Sequence, residues 1–365
     1  MMTLRKPFDY TLFLTTLFLV AVGMTMVFSA SGILAKERFG DSLHFLKREV
    51  VIVFVGFIGM VVARIIPLTF YARLAYPLLL ISILLMGLVF VPSLGVRVGE
   101  TSRWIRLGPI TLQPSEMAKI ALVVYLAYIL SKKQEKVQFL FTWISPLVFS
   151  GLLIGGVLLG KDLGGGAVMG ATLFIMMFVG GAKPSFLASE ILLAMPALYY
   201  LVASVPYRRM RILAFLNPWE HERGAGFQII QSYVAFHVGS LFGQGLGSGK
   251  QKLFYLPEAH TDFIFSVVGE EMGLLGTLTV LGLFIIWLYR VFRISWRAPD
   301  LFSSYLAMGI GLMVGIQVVI NVGVVSGLLP TKGLTLPFVS YGGSSMVISM
   351  IAVGILLNIA SRSKA

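Results

Sequence analysis

Long runs of apolar residues alternate along the whole chain with short groups of charged residues, prolines and glycines. A helix that crosses a bilayer needs roughly 20 mostly uncharged residues, and about ten of the runs approach that length. We therefore predict an all-α integral membrane protein with about ten transmembrane helices in one membrane domain, 1–365. The predicted spans are 11–35, 48–65, 74–92, 115–131, 138–160, 163–182, 185–205, 264–289, 301–326 and 339–360.

The composition supports this prediction and excludes several classes of protein. Apolar residues make up 57% of the chain and charged residues 12%, whereas soluble proteins carry about 25% charged residues. The absence of cysteine excludes disulfides, thiolate nucleophiles and zinc–thiolate sites, and the four histidines are too scattered to indicate a metal site. The basic residues lie in short segments between apolar runs, without a recognition module, so we expect no nucleic-acid partner.

The distribution of basic residues predicts the orientation of the chain. An even number of spans places both termini on one side, and short loops rich in lysine and arginine are typical of the cytoplasmic side. Both termini and two short loops carry such residues, which predicts cytoplasmic termini. The residues are Arg5, Lys6, Lys132, Lys133, Lys136, Arg290, Arg293, Arg297, Arg362 and Lys364.

The chain has a net charge of +13, and many of its other basic residues fall on the predicted outer side. They lie around Arg97, Arg103 and Arg106, and in a long segment between the seventh and eighth spans. One interpretation is that basic residues in long external segments have little influence on membrane orientation. The other is that these residues bind an anion.

The longest interruption of the apolar pattern, 206–263, predicts a large extracytoplasmic loop between helices 7 and 8. It begins with Arg208, Arg209 and Arg211 and continues into an apolar stretch, 227–242, which predicts a helix on the membrane surface or packed on the bundle. The glycine-rich 243–249 follows. It is not a phosphate-binding loop, because no strand precedes it and the Lys-Ser/Thr ending is missing.

Ionisable residues within predicted spans are expensive to bury and are therefore candidates for function. Glu116 and Lys119 stand three residues apart on one helical face, which predicts a structural ion pair. Asp162 precedes three glycines, and two roles stay open for it: a cap of the next helix, or a group in a polar cavity.

The densest polar cluster is LPEAHTDFIF, which contains His260 and Asp262 at the predicted outer start of the eighth span. Asp262 is interpreted either as a helix cap or as a carboxylate that accepts a proton from a hydroxyl nucleophile. Glu270 and Glu271 lie inside the span and are predicted to serve a buried network or helix packing.

Two other segments carry candidate chemistry. In TSRWIRLG, Trp104 is interpreted either as a membrane-interface anchor or as a surface for a sugar or lipid. In the second interpretation, Arg103 and Arg106 hold a phosphate beside it. In GLLPTKGLTLP, prolines and glycines interrupt an uncharged stretch that contains the single cation Lys332. Irregular backbone at membrane depth must line a cavity or be buried in protein, which places Lys332 near the other two segments.

The strings TSRWIRLGPITLQPSEMAKIAL, LPEAHTDFIFSVVGEEMGLLG and GLLPTKGLTLPFVSYGGSS resemble the SEDS family of bacterial cell-wall proteins, named for shape, elongation, division and sporulation. The resemblance extends from the first span to the last. The last two strings are more similar to the division and sporulation branches than to the elongation branch.

This resemblance implies a ten-helix protein of the bacterial cytoplasmic membrane, with cytoplasmic termini and an extracytoplasmic active site. It implies a peptidoglycan glycosyltransferase that polymerises lipid II by inversion and releases undecaprenyl pyrophosphate. The implied partners are a growing glycan strand, a class B penicillin-binding protein and other divisome membrane proteins. Asp262 matches the essential acid of the family, and further positions on which the family depends match Arg103, Trp104, Glu116, Lys119, Asp162 and Lys332.

With this resemblance, Asp262 becomes the expected base, and His260 a supporting polar residue. The expected substrate-binding residues are Arg103, Trp104, Lys332, Arg208, Arg209 and Arg211. A divalent cation, Mg²⁺ or Mn²⁺, is compatible with a pyrophosphate substrate, although no dedicated oxygen ligands stand out. The alternatives are a lipid II flippase and a noncatalytic scaffold for a cell-wall synthase.

Overall fold

The computed structural model describes residues 8–98, 101–108, 110–132, 140–251 and 256–363. These residues form α-helices, one short 3-10 helix at Pro218–His221 and three β-strands. The helices are α1 Tyr10–Phe39, α2 His44–Ile65, α3 Leu68–Arg73, α4 Ala75–Leu88, α5 Pro114–Lys132, α6 Leu140–Leu159, α7 Leu163–Val179, α8 Pro184–Ala203, α9 Pro206–Leu216, α10 Phe227–Gly239, α11 Ile264–Trp296, α12 Leu301–Val325 and α13 Gly343–Ala360.

Each predicted span corresponds to a helix: α1, α2, α4 to α8 and α11 to α13. Within the described ranges, five of them (α1, α5, α11, α12 and α13) are long and apolar enough to cross a membrane, and α4, α6, α7 and α8 are shorter apolar helices. The prediction of a helical membrane protein with about ten spans is therefore confirmed.

Several predicted boundaries differ from the structure by a few residues, and two of these differences have an identifiable cause. Helix α11 continues to Trp296, beyond the predicted limit at 289, because basic residues are favourable near a helix C-terminus and do not end the helix. Arg290, in this extension, pairs at 2.5 Å with Asp9, which also caps α1 by accepting from the Leu12 amide. Helix α13 begins at Gly343 rather than 339, since the preceding Gly342 is extended, with φ −175° and ψ 96°.

The basic residues Arg5, Lys6, Lys133, Lys136 and Lys364, which support the predicted orientation, lie outside the described residues.

The centre of the bundle is α5, which packs against α4, α7 and α12. Most of its apolar window is buried inside the protein, so it contacts other helices rather than lipid. Helix α2 lies along α13, where Gly354 permits a close approach: a Cβ at this position would stand 2.2 Å from the Met60 carbonyl oxygen. Small residues allow such backbone contact between spanning helices.

A three-stranded antiparallel sheet connects α4 to α5. Its strands are β1 Gly95–Val98, β2 Thr101–Leu107 and β3 Ile110–Leu112, in the order β1-β2-β3. Trp104 lies opposite Val96, and Ile105 lies opposite Leu112. The apolar pattern does not predict this sheet, because strands of three to seven residues are too short for alternation to stand out.

The long segment after α8 contains α9, the 3-10 helix and α10, and α10 packs against α11 rather than standing alone. Contact between these two helices is close: a Cβ at Gly239 would stand 1.9 Å from the Gly269 carbonyl oxygen. The apolar stretch predicted at 227–242 is therefore a helix packed on the bundle.

Helix α11 is broken at Gly273, where φ is 66° and ψ is −163°. The glycine-rich segment supplies hydrogen bonds at the break: the amides of Gln244 and Gly245 donate to the carbonyls of Glu270 and Glu271, each at 3.0 Å. On the other side of the break, the Leu274 amide donates to the Ser240 carbonyl at 2.9 Å. Backbone groups freed within an apolar bundle are satisfied by a neighbouring segment in this way.

Candidate active site

Asp262 lies immediately before α11 but does not cap it. The N-cap is Phe263, and no side chain bonds to the first turn. The Asp262 carboxylate instead faces Gly333 in the irregular segment between α12 and α13, where a Cβ would stand 2.7 Å from Oδ2. Asn321 of α12 connects the two segments by donating to the carbonyls of Asp262 at 2.9 Å and Leu334 at 2.6 Å.

The electrostatic environment of Asp262 suits a base that exchanges protons near neutral pH. Burial raises the pKa of Asp262 to about 7, and the negative charge of Glu258 acts in the same direction. Arg103 and Arg211 oppose this shift by favouring the carboxylate. A group with a pKa near the working pH combines basicity with a large deprotonated fraction.

Two cations belong to the same region as Asp262. Arg211 of α9 donates to the Thr331 carbonyl at 2.9 Å, and its guanidinium lies over the ring of Tyr207. The adjacent Lys332 is half-buried, and burial lowers the pKa of its ammonium group. Among the described residues Lys332 forms no ion pair, so its charge is available to an anion.

A second group of charges lies on the sheet and at the start of α7. Arg103 of β2 stands 4.0 Å from the Asp162 carboxylate and also donates to the Lys161 carbonyl. Burial, together with the charge of Arg103, lowers the pKa of Arg208. Arg103 and Arg208 are therefore near each other, as expected of two residues that share an anion. Trp104 follows Arg103 on β2 and is half-buried.

Asp162 caps the next helix, which is one of the two roles that the sequence leaves open. Its Oδ1 caps α7 by accepting from the Gly165 amide at 3.0 Å. Its Oδ2 accepts from the Ser115 hydroxyl at 3.0 Å, and the carboxylate lines a small, mostly apolar pocket together with Arg103. The cap fixes the carboxylate in position, and Arg103 lies against it.

Glu116 and Lys119 form a buried ion pair of 2.9 Å within α5. Lys119 also donates to Gln317 of α12 at 2.6 Å, and the Gln317 amide donates to the Thr335 carbonyl at 2.8 Å. Thr335 continues the network to Ser345 of α13 at 3.1 Å. The pair is not exposed to a substrate; it holds α5, α12 and the segment after Lys332 together.

His260 lies in an aromatic cluster beside the site. Its ring is 5.0 Å from Phe45 and 5.8 Å from Tyr341, and its carbonyl accepts from the Tyr341 amide at 3.0 Å. Burial lowers the pKa of His260. This places His260 as a support for the loop that contains Asp262.

The structure separates one expected site residue from the others. Arg209 is exposed, and within the described ranges its side chain forms no hydrogen bond or ion pair, whereas Arg208 and Arg211 on the same helix face the site. Positions 208 and 211 share one face of a helix, whereas position 209 lies about 100° around the helix from 208. Helical geometry therefore separates Arg209 from the other two arginines.

Several residues of this region are not singled out by the sequence. Gln317 and Asn321 both bond to the segment around Asp262 and Lys332, and their i,i+4 spacing within an apolar span is the signal that identifies them. Glu49 of α2 is also buried, and neither of its carboxylate oxygens is hydrogen-bonded to another described residue. Its only sequence signal is a charge near the edge of the second span.

The two glutamates at the start of α11 hold the glycine-rich segment. Glu270 accepts from the amides of Lys250 at 2.6 Å and Gln251 at 3.1 Å. Glu271 accepts from the Gly247 amide at 3.0 Å and from Ser29 at 2.7 Å. Backbone amides in and just after the glycine-rich segment therefore bind the protein's own carboxylates, and neither glutamate is placed to act with Asp262.

Comparison with known proteins identifies full-length relatives. Residues 10–365 match the model of a family of cell cycle proteins named for FtsW, RodA and SpoVE. The chain is 48% identical over 360 residues to the probable peptidoglycan glycosyltransferase FtsW of Geobacter metallireducens, covering 98% of this chain and 96% of that protein. It is 42% identical over 367 residues to stage V sporulation protein E of Bacillus subtilis, covering 100% of both.

The fold is shared with solved structures. The rod shape determining protein RodA of Thermus thermophilus superposes with a TM-score of 0.72 at 29% identity, covering 98% of both chains. A chain from a peptidoglycan synthase complex, solved in a study of how polymerization and crosslinking are coordinated, superposes with a TM-score of 0.77 at 30% identity, covering 97% of both.

Proposed function

This chain belongs to the FtsW/RodA/SpoVE family of cell cycle proteins, and from that premise we propose that it is a peptidoglycan glycosyltransferase that polymerises lipid II for septal cell-wall synthesis. The observation that carries the proposal is the arrangement around Asp262: a carboxylate with a pKa of about 7, beside Arg211 and Lys332 and under the influence of Arg103. A base beside several cations is what transfer of a sugar from a pyrophosphate requires.

In the proposed reaction, a sugar hydroxyl of the acceptor attacks the anomeric carbon of the donor. The new glycosidic bond forms as the bond to the pyrophosphate oxygen breaks, and undecaprenyl pyrophosphate leaves with the electron pair. Attack opposite an α-linked leaving group gives a β-linkage by inversion. Asp262 accepts the hydroxyl proton during the attack, and this single base is sufficient.

Negative charge grows on the pyrophosphate as it leaves, and fixed cations stabilise it. Arg103, Arg208, Arg211 and Lys332 are the proposed contacts, because each lies near Asp262 or near another of these cations. Arg209 has no such position in this proposal, because it is exposed. Trp104, beside Arg103, is the proposed surface for a sugar or for the start of the lipid.

A divalent cation, Mg²⁺ or Mn²⁺, remains a prediction. Within the described ranges no three His, Asp or Glu side chains come together as metal ligands. The described residues therefore supply no cluster of metal ligands, and no step of the proposed reaction is routed through a metal.

We propose that the protein lies in the bacterial cytoplasmic membrane with both termini in the cytoplasm and Asp262 on the extracytoplasmic side. The ten spanning helices and the basic residues Arg290, Arg293 and Arg297 after α11 support this orientation. In it, the sheet, α9, α10 and the segment after Lys332 all lie at the outer end, where flipped lipid II is exposed.

The proposed protein partner is a class B penicillin-binding protein, which would crosslink the strands. The structural neighbour from a peptidoglycan synthase complex supports a partner of this kind. Other divisome membrane proteins are proposed on the basis of the FtsW relatives alone.

The two alternatives are a lipid II flippase and a noncatalytic scaffold. A flippase needs a polar route that opens to both sides, whereas the buried charges Glu116 and Lys119 neutralise each other at 2.9 Å. A scaffold does not require a carboxylate with a raised pKa beside cations. Both alternatives are therefore less consistent with the site than polymerisation is.

The test is lipid II polymerisation by the purified protein, alone and with its cognate class B penicillin-binding protein whose transpeptidase is blocked. Asp262→Ala is compared with wild type and with Asp41→Ala, which removes an exposed carboxylate paired with Lys47. We expect glycan strands from wild type and Asp41→Ala and none from a folded Asp262→Ala. Failure of wild type under both conditions would overturn the proposal, and full activity of Asp262→Ala would remove its central residue.

A further inference from the structure

An apolar groove runs between α4 and α6. Its volume is about 570 Å³, and its walls are aliphatic or aromatic side chains interrupted by glycines. It includes Ile83, Phe90, Leu147, Gly151, Gly155 and Leu159. Among the described residues no polar side chain lines it, so the groove suits a hydrocarbon chain.

One end of the groove meets the charged site. Met86, Phe90 and Gly156 line both the groove and a narrow pocket whose other walls include Arg103 and Asp162. The pocket has a volume of about 10 Å³, enough for a single water molecule. An anionic group at the end of a chain in the groove therefore stops beside Arg103, whose buried Nε forms no hydrogen bond within the described ranges.

The glycines of the groove face open space rather than a packed neighbour. A Cβ added at Gly87, Gly151 or Gly155 meets no atom within 4 Å. By contrast, a Cβ at Gly156 would stand 3.3 Å from Met86, where α4 and α6 touch. The groove is thus free volume between two helices that are in contact at one end.

The length and depth of the groove also match a lipid chain. On α6 it extends from Leu147 to Leu159, which is about 18 Å at 1.5 Å per residue. The hydrocarbon core of a bilayer is about 30 Å thick, so the groove covers more than half of it. In the proposed orientation this is the outer half.

We propose that the groove binds the polyprenyl chain of the lipid-linked pyrophosphate substrate and directs its pyrophosphate to Arg103. This inference rests on the proposed function and assigns the place of its lipid. A long apolar chain with an anion at one end matches an apolar groove that ends at a cation. Arg103 is close enough to Asp262 to lower its pKa, so a chain held here brings the pyrophosphate towards the base.

The kinetic test fills the groove with side chains that the protein can accommodate. Gly151→Leu and Gly155→Leu place a leucine in the open volume, and Gly282→Leu is the matched control, since a Cβ at Gly282 of α11 also meets nothing within 4 Å. We expect the two groove variants to raise KM for full-length lipid II about tenfold with kcat little changed, because the chain is remote from the reacting atoms. A lipid II analogue with a short prenyl chain should show a much smaller change.

The binding test uses a photoreactive polyprenyl pyrophosphate and does not depend on turnover. We expect crosslinks to α4 and α6 in wild type and Gly282→Leu, their loss in Gly155→Leu, and competition by undecaprenyl pyrophosphate but not by phosphatidylglycerol. Crosslinks at α4 and α6 in a wild type that makes no glycan would support the groove while overturning the proposed function.

Two other outcomes would overturn the groove and leave the polymerase intact. One is a wild type that polymerises lipid II, with groove variants that match Gly282→Leu and crosslinks that fall on other helices. The other is displacement of the probe by phosphatidylglycerol as effectively as by undecaprenyl pyrophosphate, which would make this a general lipid groove.

Discussion

The carboxylate of Asp262 lies directly against Gly333, so that a Cβ at residue 333 would stand 2.7 Å from Oδ2. The two residues come from segments 71 positions apart in the chain (333 − 262), and Asn321 holds both by their backbone carbonyls. The position of the proposed base is therefore set by the irregular segment between α12 and α13 as well as by the start of α11, which follows it in the chain. Arg211, bonded to Thr331, ties α9 to that segment.

Gly333→Ala should reduce polymerisation with little loss of stability. The added methyl group would displace the Asp262 carboxylate, and a misplacement of about 1 Å in a catalytic group can cost 100-fold in rate. The measurement is kcat together with the melting temperature in detergent. Gly343→Ala is the control, because its Cβ would lie at an ordinary 3.5 Å from Ile52. Equal activity of the two variants would show that the carboxylate does not depend on Gly333.

The pH dependence of polymerisation should report the environment of Asp262. A base is active when deprotonated, so we expect the rate to rise with pH to a plateau above about 7. Glu258 raises the pKa of Asp262 and Arg211 lowers it. Glu258→Gln should therefore move the rising limb to lower pH, and Arg211→Gln should move it to higher pH. If the rising limb of the pH–rate profile stayed at the same pH in both variants, it would report the ionisation of a group other than Asp262.

The same raised pKa predicts a stability cost at the site. Because the folded-state pKa of about 7 exceeds the ordinary value of 3.8, the folded protein binds the proton more tightly than the unfolded chain does. The stability of wild type therefore decreases as pH rises from about 4 to about 7 on account of this group. Asp262→Asn should melt at a higher temperature than wild type at pH 8, and the difference should shrink towards pH 4.

A melting temperature of Asp262→Asn that is lower than wild type at pH 8 would contradict this account. Asp162→Ala provides the contrast, since Asp162 accepts from Gly165 and Ser115. Loss of a helix cap costs about 0.5–2 kcal/mol, so this variant should melt at a lower temperature than wild type throughout.

The helices could be predicted from the sequence because each span is a long run of mostly uncharged residues, a property of local composition. The charged motifs could also be found, since TSRWIRLG, HTDF and PTKG are the main polar interruptions. Their relative positions could not, because the contact of Asp262 with Gly333 depends on the packing of α11 against α12. The break at Gly273 is hidden for a similar reason: it exists only because 240–245 supplies the missing hydrogen bonds.

Glu270→Ala should destabilise the protein and release the glycine-rich segment. The carboxylate is fully buried and accepts from the amides of Lys250 and Gln251. A buried donor left without a partner costs about 1–3 kcal/mol, and two donors are affected here. The measurements are unfolding in detergent and amide hydrogen exchange of 243–251, with the exposed Glu222→Ala as the control. Unchanged exchange in this segment would show that other contacts hold it.

Substitutions in the buried ion pair of Glu116 and Lys119 should lower stability, because we expect the pair to support the fold rather than to take part in the reaction. Lys119→Met leaves Glu116 without its partner at 2.9 Å and should cost about 3–5 kcal/mol. Adding Glu116→Gln removes the isolated charge, so the double variant should recover most of the lost stability while Gln317 still bonds to Thr335. Unfolding titrations of wild type, both single variants and the double variant give the coupling energy. If Lys119→Met were as stable as wild type yet inactive, the pair would belong to the chemistry rather than to the support of the site.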